Sequence, residues 1–446
     1  RKNSDSGQVA VGSNSMNVNT SGEGNTAVGY NTLVANTTGS YNTAIGYDVL
    51  KLNTTGNYNT AVGNKALYSN VDGDRNTAIG YQTLYNLEPS DGGGQNTAVG
   101  DRAGYKMTTG HTNVLMGYIA GYEITTGERN VVIGHEAGQN ANTMNHSTII
   151  GNAAGRNLSG SSENVIIGRN SGYYLTGNYN VFVGNASGFG GASIGHSTTE
   201  SVAVGRNAFY YHSDANYSVA IGSDALMGPS TGLTGDNNVS IGRQSMKNAT
   251  SGYETIAIGS QAAYSTTTAN RNVYIGHTAG YSVVASAEYN TMIGQQAGYD
   301  VSGQRNTIVG GTAGVNALAA AAESTYIGYY AGANCSGSNN TFVGATAGGT
   351  TNEGVGLTAV GSQALRTVSG NYNTAIGWGA MADGTGDAGA NVAVGYRAVQ
   401  AISTGDRNVG VGNYALSQVQ THNDNVAIGD ETGKQIYSSN NTLVGS

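Results

Sequence analysis

The sequence predicts an all-β fold, a parallel β-solenoid (β-roll) of about 26 rungs, from two observations. A short phrase, Asn-Thr-Ala-Val-Gly or a near variant, recurs along the chain and ends on 26 glycines, from Gly12 to Gly445. Of the 25 intervals between these glycines, 14 are 17 residues long, eight are 16 or 18, and the longest is 21. Because the repeat runs through the sequence, we expect one continuous solenoid domain over residues 1–446.

Each repeat is numbered from its glycine, which is position 0. Position −1 is Val or Ile in 25 of the 26 repeats, and position −3 is Thr in 13 and Val or Ile in the other 13. β-branched residues favour strands, and positions −1 and −3 lie on the same strand face. We therefore expect a strand before each glycine, with this face packed inside the coil.

The rest of the repeat consists of polar ladder and turn residues. Asparagine occupies position −4 in 19 repeats, and asparagine amides that stack in register form hydrogen bonds from rung to rung. Thr-Thr-Gly phrases such as Thr54–Gly56 indicate turns, so each rung is expected to contain two short strands and two turns. A helix is disfavoured, because each glycine in a helix interior costs roughly 1 kcal/mol. The glycines expected to anchor the rungs, through a backbone conformation that other residues resist, include Gly29, Gly46, Gly63, Gly80, Gly134, Gly222 and Gly377.

Position −2 lies on the opposite strand face and is also apolar. It is large where position +4 of the preceding repeat is Gly or Ala, as in Gly332 with Phe342, and small where that residue is large. In 23 of the 25 consecutive pairs the volumes compensate, as close packing requires. The two exceptions are Gly188 with Ala203 and Gly348 with Ala359.

An apolar outer strand face needs a cover, and an identical chain in register is the simplest one. We therefore expect a parallel homo-oligomer with cyclic symmetry. The alternative is a flattened monomer that hides both strand faces in its own interior. The residues expected at chain–chain contacts are Leu115, Phe182, Tyr274, Met292, Tyr326 and Phe342.

The repeat resembles the head repeats of trimeric autotransporter adhesins, whose unit reads Ser/Asn-Val-Ala-Ile-Gly. Residues 201–205 (Ser-Val-Ala-Val-Gly), 218–222 (Ser-Val-Ala-Ile-Gly) and 391–395 (Asn-Val-Ala-Val-Gly) carry this resemblance. The resemblance implies a homotrimer of left-handed parallel β-rolls, packed together or intertwined. Residues 368–377 (Val-Ser-Gly-Asn-Tyr-Asn-Thr-Ala-Ile-Gly) are similar to repeats of phage tail-fibre-like proteins, which often end in a self-cleaving chaperone domain.

Composition argues against several partners. Charged residues make up 10% of the chain, and its net charge of −8 is spread thinly. The sequence has no basic patch for nucleic acid and no polybasic stretch for a membrane surface. It has no run of 18 apolar residues, so we expect no membrane insertion in this segment. The repeat is intact near both ends, so neither end looks capped, and we expect flanking domains or head-to-tail copies there.

The sequence offers little catalytic chemistry, and we expect no enzyme, cofactor or metal site. A tailspike-type glycan hydrolase would need paired carboxylates in a groove. The candidate pairs, all in variable turn segments, are Glu123 with Glu128, Asp72 with Asp74, and Asp383 with Asp387. The seven histidines, among them His196, show no metal-ligand spacing.

The 29 tyrosines are the residues that best suit binding to a surface, because the ring is apolar and its tip is polar. Those that directly follow the glycine are the candidates: Tyr30, Tyr47, Tyr81, Tyr118 and Tyr396. The alternative is that these rings stack on one another and only cover the rungs. We expect a fibre shaft at a virion surface or outside the cell, which contributes to recognition of a host-surface glycan or receptor. The alternatives are a bacterial trimeric adhesin head, a self-assembling extracellular filament and, less favoured, the tailspike-type hydrolase.

Overall fold

The computed structural model describes residues 7–89, 93–158, 160–190, 197–283, 287–317, 322–349 and 353–446. These residues contain no helix, and the chain is an all-β parallel β-solenoid with 26 strands. It divides into two compact units, Arg1–Asp224 with Ser230–Leu233, and Ala225–Pro229 with Thr234–Ser446. The repeat continues through both units, and each unit contains thirteen strands.

The strands follow the predicted phrase, and neighbouring strands pair in parallel with equivalent residues opposite each other, as Thr43 pairs with Thr60. The first unit contains β1 (Val9–Val11), β2 (Thr26–Tyr30), β3 (Thr43–Tyr47), β4 (Thr60–Asn64), β5 (Thr77–Ile79), β6 (Thr97–Val99), β7 (Val114–Met116), β8 (Val131–Ile133), β9 (Thr148–Ile150), β10 (Val165–Ile167), β11 (Val181–Val183), β12 (Val202–Val204) and β13 (Val219–Ile221). The second unit contains β14 (Val239–Ile241), β15 (Ile256–Ile258), β16 (Val273–Ile275), β17 (Thr291–Ile293), β18 (Thr307–Val309), β19 (Thr325–Ile327), β20 (Thr341–Val343), β21 (Thr358–Val360), β22 (Thr374–Ile376), β23 (Val392–Val394), β24 (Val409–Val411), β25 (Val426–Ile428) and β26 (Thr442–Val444).

Each rung contains one strand, not the two expected from sequence, and the remainder is a series of stacked turns. In these turns Asp48 and Leu50 have φ angles of 52° and 46°, the left-handed region that non-glycine residues rarely adopt. Their N–H groups donate to carbonyls of neighbouring rungs, Asp48 to Tyr30 at 2.9 Å and Leu50 to Ala66 at 3.1 Å. The turns therefore pair their backbone groups between rungs without being strands.

The repeat glycine is required by both conformation and space. Gly46 has a φ of 139°, and a Cβ at this position would overlap the carbonyl group of Gly63 on the next rung. The backbones of successive rungs approach closely at this column, which leaves no room for a side chain. The other expected anchor glycines also have positive φ.

Asparagine at position −4 forms a buried ladder. The Asn59 side-chain oxygen accepts the backbone N–H of Asn76 at 2.9 Å, and its Nδ2 donates to Gly73 O at 2.8 Å and to Asn42 Oδ1 at 3.1 Å. The ladder persists across longer repeats, because the Asn96 N–H still donates to Asn76 Oδ1 at 3.1 Å over 20 residues. Extra residues therefore enter the rung without breaking the ladder.

The two strand faces are oriented opposite to the prediction. Position −2 points into the coil, where it is buried within its own chain in all strands except the terminal β1 and β26, whereas positions −1 and −3 point outward. The proposed chain–chain contact residues are therefore interior residues that no second chain reaches: Leu115, Phe182, Tyr274, Met292, Tyr326 and Phe342. The prediction failed because both faces are apolar, so the pattern alone does not say which one the coil encloses.

Volume compensation occurs mainly within one rung. A Cβ on Gly332 would lie 2.7 Å from two ring atoms of Tyr326, six residues earlier, and Phe342 is not among its three nearest contacts. The two exceptions of the sequence-based pairing have the same explanation: a Cβ on Gly188 would overlap the Phe182 ring, and one on Gly348 would overlap the Phe342 ring. Glycine at position +4 therefore makes room for the large residue at position −2 of its own rung.

Candidate functional surfaces

Positions −1 and −3 form an outward column of side chains in each unit, which we call the β-branched face. Ile45 in the first unit is 39% exposed and Ile376 in the second is 41% exposed, although both are large aliphatic residues. Met116 is the one position −1 residue that is not β-branched. Because the strands pair in register, equivalent side chains lie about 4.8 Å apart along the face. Each unit thus presents a regular and largely apolar strip.

The tyrosines expected to bind a surface are all exposed: Tyr30, Tyr47, Tyr81, Tyr118 and Tyr396. Their rings are partly covered by neighbouring rungs. Tyr30 and Tyr47 stack on each other with 5.1 Å between ring centroids, and the Arg102 guanidinium lies 5.7 Å from the centroid of Tyr81. Tyr118 stacks on His135 at 5.1 Å, and Tyr396 stacks on Trp378 at 5.2 Å. A ligand that stacks on these rings has only their remaining faces to use, while the ring edges stay accessible.

Sequence reasoning missed a second aromatic column, at position +5. In the first unit Tyr68, Tyr85, Tyr105 and Tyr122 stack successively, with centroid distances of 4.9, 5.3 and 5.1 Å. The second unit has an equivalent stack of Tyr264, Tyr281 and Tyr299 at 5.0 and 4.8 Å. A lysine precedes each stack, with its ammonium 5.3 Å (Lys51) or 5.7 Å (Lys247) from the first ring centroid. The available signal was the recurrence of Tyr five residues after successive repeat glycines.

Five of the six candidate catalytic carboxylates, all but Asp72, belong to surface contacts between rungs. Glu123 accepts from Lys106 Nζ at 2.7 Å, and Glu128 lies 2.6 Å from His111 Nε2. Asp74 accepts the Asn57 N–H at 2.6 Å, Asp383 pairs with Arg366 at 2.7 Å, and Asp387 accepts from Ser369 Oγ at 2.8 Å. Each of these carboxylates thus contacts a residue of a neighbouring rung.

The ion pair of Arg407 with Asp424 also joins two neighbouring rungs. Arg407 Nε and Nη2 donate to the two carboxylate oxygens of Asp424 at 2.7 and 2.9 Å. These hydrogen bonds lower the pKa of Asp424 below its ordinary value. The Arg407 side chain is exposed and the Asp424 side chain is partly exposed, so solvent screens this pair and it contributes little to stability.

A few titratable side chains are buried in the interior. The Tyr274 hydroxyl has no hydrogen-bond partner among the described residues, and burial raises its pKa far above the ordinary value. His212 Nδ1 lies 2.7 Å from Thr198 Oγ1, and burial also raises the pKa of the Cys335 thiol. His196 lies outside the described residues. Among those described, no three His, Cys, Asp or Glu side chains are placed to bind a metal ion.

Comparison of the chain with protein-family models gives no match, and a search of curated proteins gives none either. Within the described part of the chain, no helix has the length and apolarity needed to cross a bilayer.

Proposed function

We propose that this chain is a non-enzymatic structural and adhesive shaft, a phage tail-fibre segment exposed on the virion, in which three copies pack in parallel through the β-branched face. The observation that carries the proposal is the outward row of aliphatic side chains that each unit presents, with Ile45 and Ile376 as examples. Such a face, left in water, promotes association.

The strip has the size of an apolar patch that is often functional. Thirteen strands at about 4.8 Å spacing make it roughly 60 Å long in each unit, and two side chains make it about 10 Å wide. Each unit by itself thus exposes roughly 600 Å², the upper end of what the largest patch of a monomer usually reaches.

A second copy of this chain is the partner that fits such a strip best. Only a partner with the same axial spacing keeps its side chains in step with the strip over thirteen rungs. An identical chain in parallel has that spacing in every rung, including the irregular ones. The threefold arrangement rests on the resemblance to trimeric adhesin head repeats.

The adhesive part of the proposal rests on the exposed tyrosine column and on the amino-acid sequence of the repeat. Tyr30, Tyr47 and Tyr81 combine exposed ring edges with hydroxyl groups, which suit contacts with a host-surface glycan. The proposal of a tail fibre rests on the similarity of residues 368–377 to repeats of phage tail-fibre-like proteins.

Sedimentation velocity of the purified chain tests the assembly. We expect particles of three 45.3-kDa chains. The double variant Ile45→Asp/Ile376→Asp should dissociate them, because it places charges on the β-branched face of both units. The matched control is Thr55→Asp, at an exposed turn position away from that face. A stable monomer of the unmodified chain would contradict the assembly.

Incubation with purified bacterial surface polysaccharides tests the adhesive role. We expect the chain to sediment with polysaccharide from susceptible cells and to leave the polymer length unchanged. Replacement of Tyr30, Tyr47 and Tyr81 by serine should weaken this binding. A shortened polymer would instead identify a tailspike-type hydrolase, and absence of binding to every polysaccharide and cell tested would refute the adhesive role.

A further inference from the structure

The β-branched face is not uniform, because threonine clusters at position −3 in each unit. The first threonine zone covers five consecutive strands, β2 to β6, and the second covers six, β17 to β22. Valine or isoleucine occupies position −3 on the strands next to each zone. The zones are Thr26, Thr43, Thr60, Thr77 and Thr97 in the first unit, and Thr291, Thr307, Thr325, Thr341, Thr358 and Thr374 in the second.

The zone hydroxyls are not engaged by the residues that the structure describes. None of them makes a side-chain hydrogen bond among the described residues, and these side chains are half-buried or exposed. Threonines at the turns behave differently: Thr20 and Thr37 donate their hydroxyls to the carbonyls of Thr37 and Thr54 on the next rung. The zone threonines therefore present free hydroxyl groups on a face that is otherwise aliphatic.

We infer that the two threonine zones set the register in which parallel copies of this chain associate. The inference rests on the proposed function, since it concerns how the copies pack through the β-branched face. In a parallel arrangement without offset, with position −3 at the symmetry axis, each zone threonine meets the same threonine of another copy. A hydroxyl both donates and accepts, so facing threonines satisfy each other.

Offset parallel alignments bury hydroxyls against methyl groups. An offset of one strand places a threonine opposite an aliphatic residue at the zone boundary, for example Thr97 opposite Val114. A buried hydroxyl without a partner is unfavourable, so these alignments are disfavoured. Single buried asparagines fix the register of coiled coils in the same way.

Cysteine cross-linking of the full chain tests this inference. Tagged chains with Thr77→Cys on β5 are co-expressed with untagged chains with Val114→Cys on β7, and the assemblies are oxidised with diamide. Two chains of the same type cross-link when the copies are in register, whereas a tagged chain and an untagged chain cross-link when they are offset by two strands. We expect links between chains of the same type to dominate.

The zone variant then carries valine at four threonines of the first zone, and an equally large control carries valine at four exposed turn threonines. We expect the zone variant to stay assembled but to gain links between tagged and untagged chains, whereas the control retains the original pattern. The zone changes are Thr26→Val, Thr43→Val, Thr60→Val and Thr97→Val, and the control changes are Thr38→Val, Thr55→Val, Thr109→Val and Thr126→Val.

The outcomes separate this inference from the proposed function. If the zone variant forms the same links as the unmodified background, the zones do not set the register, although the copies still assemble. If links between tagged and untagged chains already dominate in the unmodified background, the inference is also overturned. Sedimentation of the unmodified chain as a monomer would overturn the assembly and the inference together.

Discussion

Replacement of Gly188 by alanine tests the packing of a large interior residue against glycine in the same rung. Gly188 has a φ of 57°, and a Cβ on it would lie 2.6 Å from Phe182 Cγ and closer still to two other ring atoms. The left-handed conformation costs alanine roughly 1–2 kcal/mol, and overpacking adds roughly 1–3 kcal/mol. We therefore expect Gly188→Ala to destabilise this rung by about 2–5 kcal/mol.

A double-mutant cycle with Phe182→Ala isolates the contact. Phe182→Ala alone should cost about 3–5 kcal/mol through the cavity it leaves. The double variant should cost about 1–3 kcal/mol less than the sum of the two, because the added methyl group then has room. It reproduces a combination that the chain already uses, Ala257 with Ala263.

Hydrogen exchange of peptides covering residues 181–190 in the full chain measures the local opening free energy. The matched control is Gly138→Ala, where φ is 53° but the nearest atom, Val132 Cγ1, lies 3.3 Å from the added Cβ. Its cost should be mainly conformational. Equal costs for Gly138→Ala and Gly188→Ala, together with an additive cycle, would refute same-rung packing.

Two further variants test the ladder and a buried hydroxyl. Asn59→Ala should cost about 2–4 kcal/mol in urea unfolding, because it leaves the Asn76 N–H and the Gly73 carbonyl buried without their partner; a cost no larger than that of Thr60→Ala would contradict this role. Tyr274→Phe should be neutral or slightly stabilising at pH 7, because the hydroxyl lacks a partner among the described residues. Burial raises the pKa of Tyr274, so the unfolded chain releases this proton first and stability falls as the pH rises above about 10. Tyr274→Phe should therefore reduce the loss of the urea midpoint between about pH 9 and pH 11, and an unchanged loss would contradict the assignment.

The period, the strand positions and the parallel fold could be predicted from the sequence because they depend on one repeated phrase. The number of strands per rung could not, since residues such as Leu50 adopt a left-handed conformation that their side chains do not signal. The inner face was also not predictable, because Ala44 and Ile45 are both apolar and only the closure of the coil decides which one is buried.

The sequence also did not show which residue at position +4 packs against each residue at position −2. Most residues at position −2 have one position +4 residue ten or more residues before them and another six residues after them. Long runs of similar rungs make the two pairings equally regular in sequence. Only rungs at a change of type distinguish them, and these differ: a Cβ on Gly188 or Gly348 would meet the large residue of its own rung, whereas one on Gly104 would meet Leu115 of the next rung and Leu84 of the preceding one.

The tolerance of the asparagine ladder to longer repeats has a consequence for how such a chain diversifies. The interval from Gly80 to Gly100 and that from Gly184 to Gly205 contain three and four more residues than the usual 17, yet Asn96 and Ser201 still donate their N–H groups to the preceding asparagines at 3.1 and 3.0 Å. Both insertions lie between a repeat glycine and the next ladder residue. Mutation can therefore lengthen this part of the repeat while the ladder hydrogen bonds are kept. The same part of the repeat is a natural site for grafting foreign peptides.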